Sequence, residues 1–161
     1  MRSHRSLAFL SAIVFLVLPV LATPLSAAGP PLQASGSFSQ TSFVQSNIRA
    51  AGPVTLFDFT ETDSLTGTLS GTSVIHGQCV LGQSGQATCT AREILTGTVN
   101  GHSGTVEFAD VIHIHNVATG AATGSFTVVG GTGDLSTLHG HGTFEGSGGS
   151  GTYSGRLLIA P

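Results

Sequence analysis

Two acids and two pairs of histidines are the residues of this chain whose types and spacing could do chemistry. Glu93 and Asp110 are the acids. A carboxyl group enclosed by apolar neighbours holds its proton to higher pH, and can then serve as a proton donor or general base. The histidines stand as His113-Ile-His115 and His139-Gly-His141, with Glu145 continuing the second row. Alternate residues of a strand share one face, so each pair sets two imidazoles side by side and could grip a metal ion. Cys79 and Cys89 are the only cysteines. They lack the C-x-x-C spacing of a redox or metal pair. What these groups do depends on the elements that aim them.

Those elements read as strands. A phrase of small residue, Gly, Thr and apolar residue recurs at Leu65–Ser73, Leu95–Gly104, Gly140–Phe144 and Gly151–Gly155. Each copy is a Thr/Val-rich half-strand ending at a glycine-marked turn. Alternation predicts strands over Ala34–Phe43, Val54–Thr60, Leu65–Leu69, Thr72–Leu81, Ala87–Val99, Ser103–Asn116, Ala121–Val129, Leu138–Phe144 and Gly151–Ile159. No stretch after the leader carries a helical apolar repeat. The fold class is therefore all-β, a run of hairpins closing into a sandwich or barrel.

Two turns set a register. Asn100-Gly101 is a two-residue hairpin signal, because both positions of its turn need positive φ. Carried outward, it places Val99 opposite His102, Leu95 opposite Val106, and Glu93 opposite Phe108. Leu95, Val99, Val106, Phe108, Ile112 and Ile114 then share one face, which must be the inner one. Glu93 joins that face, and Asp110 lies on it diagonal to Glu93. The hairpin Cys79–Cys89, turning at Gly82 and Gly85, sets the cysteines opposite each other and Ile75 opposite Glu93. A disulfide is the natural outcome in an exported chain. The same parity turns both histidine pairs outward to solvent.

Arg2 and Arg5, the apolar run Leu7–Leu21, and Ser26 and Ala28 at the −3 and −1 positions read as a secretory signal peptide over residues 1–28. Cleavage after Ala22 is a second site. The run is shorter than the ~20 apolar residues a membrane-spanning helix needs. Residues 29–161 then form one domain. Its three arginines face eight acids, a formal charge of −5 with no lysine. Nucleic acid and anionic membrane surfaces are excluded as partners by that balance. Phenylalanines spread over the whole chain argue for a folded domain rather than a disordered stalk. There is no nucleophile elbow, phosphate loop or zinc-protease helix, and nothing calls for a cofactor.

The order Ala34-Ser-Gly-Ser-Phe38, Leu65–Ser73, Glu93-Ile-Leu-Thr-Gly-Thr-Val-Asn-Gly-His-Ser-Gly104 and Gly124–Phe144 resembles the small bacterial family called domain of unknown function 3224. The most specific piece is Gly-Thr-Gly-Asp-Leu…Leu…Gly…Gly-Thr-Phe at 131–144. That family is similar in fold to the allene oxide cyclases and dirigent proteins of plants. The resemblance implies an antiparallel β-barrel of about eight strands with an interior pocket, and makes Glu93 the counterpart of an interior glutamate. A dimer or trimer would fit those relatives. The export signal and the cysteine-stapled hairpin depart from the family pattern.

Three readings remain open. The barrel binds a small apolar molecule, with Ile75, Leu95, Phe108 and Phe126 lining the pocket and acids orienting the ligand. Alternatively it is a cyclase or isomerase in which Glu93 and Asp110 transfer protons. In the third reading the lumen is filled by side chains, Glu93 is structural, and the domain is an envelope interaction module.

Overall fold

The computed structural model describes residues 30–160, so the expected leader over residues 1–28 lies outside the described residues. Eight antiparallel strands run in sequence order: β1 Leu32–Ala51, β2 Val54–Gly67, β3 Leu69–Gly82, β4 Ala87–Val99, β5 His102–Asn116, β6 Ala121–Gly131, β7 Leu138–Ser147 and β8 Ser150–Ile159. Each pairs with the next, and β1 pairs with β8 through Leu32–Ser39 against Ser150–Leu157, which closes the barrel. A meander of this kind leaves every hairpin local in sequence and removes most of the exposed edge.

The register follows the turns. Asn100 (φ +50°) and Gly101 (φ +86°) form the β4–β5 turn. The pairs Val99–His102, Leu95–Val106 and Glu93–Phe108 stand opposite each other, as do Cys79–Cys89 and Ile75–Glu93 on β3–β4. Cys79 and Cys89 are disulfide-bonded.

Three expectations are corrected. Leu65–Leu69 is not a strand of its own: Leu65–Gly67 ends β2, with Gly67 at φ +106°, and Leu69 begins β3 after Thr68. The polar run Glu61-Thr-Asp-Ser64, which reads as a junction, is the middle of β2, because its acids face the lumen instead of solvent. The strand expected over Ala34–Phe43 also runs on to Ala51, with register shifts between Gln40 and Ser42 and between Ser46 and Arg49. The first shift inserts Thr41, whose hydroxyl donates to the Thr62 carbonyl (2.9 Å). One extra residue reverses the facing of all that follow. Phe38 and Gln40 therefore share the lumen with Phe43 and Gln45.

Inward glycines are covered rather than vacant. Gly77, Gly142, Gly124 and Gly36 stand directly across from Phe59, Phe126, Phe144 and Tyr153 respectively. A methyl group on any of them would overlap that ring. Each ring thus lies flat on its neighbour strand. Large aromatics fold against the wall without crossing the barrel.

Candidate functional site

Two apolar clusters divide the barrel along its axis. One gathers Leu65, Leu69, Leu95, Val99, Val106, Phe108, Phe126, Leu138 and Leu157 at the end where β2 turns to β3 and β4 to β5. Leu135, from the 3-10 turn Gly133–Leu135 between β6 and β7, is fully buried there and plugs that end. The other cluster holds Phe57, Phe59, Ile75, Ala91 and the disulfide, with Leu81, Ile112 and Ile114 packed against it.

A polar belt separates them, strand by strand. On β2, Glu61 and Asp63 lie between Phe59 and Leu65; on β3, Ser73 lies between Leu69 and Ile75. Glu93 lies between Ala91 and Leu95 on β4, and Asp110 between Phe108 and Ile112 on β5. Glu61, Ile75, Glu93 and Phe108 form one rung across four strands. With neighbouring strands about 4.8 Å apart, the Glu61 and Glu93 backbones are roughly 10 Å apart in the wall.

Above the belt the lumen is open. A cavity of about 470 Å³ has Leu65, Leu69 and Phe108 in its floor and all four carboxyl groups on its wall. Phe43 and Phe59 stack within it (5.7 Å between centroids, 24°). Phe108 and Phe126 meet edge to face (5.5 Å, 80°), as do Phe38 and Phe144 (6.1 Å, 85°). The mouth is framed by the β5–β6 and β7–β8 turns, which are tied together: the Gly148 N–H and the Ser147 hydroxyl both donate to the Thr119 carbonyl at 3.0 Å. The Gln40 N–H donates to the Gly149 carbonyl (2.7 Å), joining β1 to the same rim.

The belt lacks positive partners. Arg92 turns outward and pairs with Glu107 at 3.1 Å on the surface. Arg49, Arg156, His76 and His102 are exposed as well. Burial therefore dominates the titration of the acids. It pushes Asp110 up to about 8, with the charge of Glu93 adding to the rise and Arg92 opposing it. Asp63 is also pushed up to about 8, by burial first and then by Glu61. Glu93 and Glu61 rise for the same first reason, each eased by a polar neighbour, Ser73 for Glu93 and Gln40 for Glu61. Asp63 Oδ1, Asp110 Oδ1 and Ser73 Oγ are buried without a hydrogen-bond partner. Such an orphaned atom costs about 1–3 kcal/mol until something meets it.

The structure places the expected residues as follows. Ile75, Phe108, Phe126, Glu93 and Asp110 line the cavity together. Leu95 does not; it is 0% exposed beneath the floor, in the packed cluster. The four histidines are exposed on the outer wall. β6 separates the two pairs: His113 aligns through Thr123 with Glu145, whereas His141 aligns with Thr127 and Arg156. His115 Nε2 meets the Thr123 hydroxyl at 2.9 Å. Among the described residues no three metal-binding side chains converge. Sequence reasoning missed Glu61, Asp63, Phe57 and Phe59 as lining groups. Their signal was available: Phe57, Phe59, Glu61, Asp63 and Leu65 are spaced by two and must share one face.

Comparison with known proteins settles the lineage. The family model described as "Protein of unknown function (DUF3224)" matches residues 34–156. The chain belongs to this family. A solved DUF3224-family protein of unknown function from Shewanella oneidensis MR-1 is 20% identical to it. That structure superposes with a TM-score of 0.68 over 82% of this chain and 99% of the other. At that identity the likeness concerns the fold alone. No curated protein matches the DUF3224 chain described here.

Proposed function

We propose that this DUF3224 protein binds a small, largely apolar molecule in the open half of its barrel, with the acid belt orienting the ligand's polar end. The observation that carries this reading is the 470 Å³ cavity, whose aromatic wall ends on buried carboxyl oxygens without partners. Small-molecule sites combine a mostly apolar lining with a few placed polar groups. The outward residues of β4 and β5 are mostly polar, with Thr88, Thr90, Arg92, Glu107 and His113 exposed beside Ile94 and Val111. A polar outer wall suits a barrel in water rather than one facing lipid. The disulfide is compatible with an oxidising, exported environment, and export is part of the proposal.

Native mass spectrometry of the protein secreted by its own host and purified without detergent tests the reading. An additional mass that is lost on denaturation is expected. A bare polypeptide mass, lighter by two hydrogens for the disulfide, would count against a retained ligand.

A second reading, cyclisation or isomerisation of a reactive apolar substrate, draws support from the raised titration of Glu93 and Asp110 beside the cavity. Glu93 would exchange a proton with the substrate, and the lumen would hold the substrate pre-folded. Glu93→Gln should then abolish conversion while leaving the fold intact, and unchanged turnover would remove Glu93 from the mechanism.

A further inference from the structure

We propose that the molecule taken by the lumen is a lipophilic amine, its ammonium group seated on the belt of Asp63, Asp110, Glu93 and Glu61 and its apolar body among Phe57, Phe59 and Ile112. This rests on the lumen-binding reading and specifies the ligand's chemistry.

The charged lining of the cavity has one sign. β2 contributes Glu61 and Asp63, β4 contributes Glu93, and β5 contributes Asp110. β1 adds only the neutral amides Gln40 and Gln45, and β8 adds the Tyr153 phenol. β3, β6 and β7 add no ionisable side chain to the lining. An anionic ligand would meet four carboxyl groups and no cation, so its charge would be neither paired nor hydrated.

Independent of the charge count, two of the lining side chains each keep a buried acceptor without a partner. Asp63 and Asp110 are each 5% exposed, and each keeps Oδ1 without a partner. An ammonium group carries three donors and accepts nothing, which suits these carboxyl oxygens once the groups are ionised. Asp110 shares a rung with Phe59 on one side and Phe126 on the other, through Gly77 and Ala91. Aromatic faces near a desolvated cation add to its attraction. The Tyr153 hydroxyl is already engaged, accepting from the Leu69 N–H at 2.8 Å and lying 3.0 Å from the Thr66 and Leu69 carbonyls. It does not compete for the ligand.

A cation placed on the belt favours the ionised carboxyl, so amine binding near neutral pH expels a proton. The advantage of the amine over a neutral isostere therefore grows as pH rises towards about 8, where Asp63 and Asp110 ionise without a ligand.

Calorimetric titration with 1-naphthylmethylamine, 1-naphthalenemethanol and 1-naphthoic acid, in two buffers of different ionisation heat, tests this on the disulfide-bonded protein. At pH 8 the amine should bind about ten-fold more tightly than the alcohol, the gap between a charge-assisted and a neutral hydrogen bond. Proton release should accompany the amine alone, and the acid should bind weakest. Asp63→Asn with Asp110→Asn should bring the amine-to-alcohol ratio close to one. Should that pair fail to fold, Glu93→Gln alone should reduce the ratio and the proton release. Alcohol binding as tightly as amine, or the acid binding tightest, would overturn the amine assignment and leave the lumen reading standing. If none of the three binds, both fall.

Discussion

The two ends of this barrel are built from the same strands and do opposite things. At the Leu135 end, Leu95, Val99, Val106 and Leu135 are all 0% exposed and the lumen is solid. At the Phe57 end, Ile112 and Ile114 remain half-buried around open space, and the disulfide supplies part of the wall. On β2, β4 and β5 the boundary is a change of side chain from apolar to acid, and register shifts fall near it at Gln40/Ser42 on β1 and Glu107/Phe108 on β5. Aliphatic side chains interdigitate across a small barrel and fill it. Unpaired carboxyl groups cannot pack against one another without a heavy desolvation cost. They hold the wall apart where the filling stops. In this protein the acids on β2, β4 and β5 mark the boundary between the full and the hollow part of the barrel.

Truncation should break the symmetry most. Leu95→Ala in the packed end is expected to cost about 2–5 kcal/mol, because the surrounding leucines and valines cannot collapse into the gap. Ile114→Ala at the cavity rim should cost less than about 1.5 kcal/mol, since that side chain already borders space. Urea denaturation compares them, and equal losses would erase the distinction between the ends.

Reduction of Cys79–Cys89 comes next. The bridge spans a separation of 10 residues in a β3–β4 hairpin at the open end, so losing it should cost about 2–3 kcal/mol by the loop-closure argument. Its local effect sharpens the comparison. Hydrogen exchange should quicken at β3–β4 near the cysteines and change least around Val99 and Leu135.

The belt itself gives a smaller, pH-dependent effect. Asp63 and Asp110 titrate from 3.8 in the unfolded chain to about 8 in the fold. Below the lower value both states are protonated, and the two groups cost nothing. As pH rises the unfolded chain loses its protons first, so stability falls across the window and levels off above about 8. Asp63→Asn with Asp110→Asn should therefore stabilise the protein at pH 9 by on the order of 2 kcal/mol and change little at pH 4. Thermal unfolding at the two pH values checks this.

The packed half was more legible in the sequence than the open half, for a physical reason. Asn100-Gly101 and the cysteine pair are local signals that set a register, and that register carried Glu93, Phe108 and Asp110 to the inner face. Glu61 and Asp63 went unseen because Glu61-Thr-Asp-Ser64 has the composition of a turn, and composition weighs polar residues as solvent-facing. Only the spacing from Phe57 and Phe59 reveals them. The bulge at Thr41 hid the inward facing of Phe43, since strict alternation from Phe38 sends Phe43 outward. Leu135 was hidden in the glycine-rich run Gly130–Ser136, where one leucine does not announce that its loop folds under the barrel. Composition also does not show that rings from neighbouring strands occupy the space over the inward glycines Gly36, Gly77, Gly124 and Gly142.

The most direct test of a barrel full at one end and hollow at the other is a crystal soaked in bromobenzene and read by the anomalous signal of bromine. The account predicts a bromine peak inside the open half, bounded by Phe57, Phe59, Ile112 and Asp110, and none among Leu95, Val99 and Leu135. A lumen without bromine, or a peak within the leucine-packed end, would contradict it.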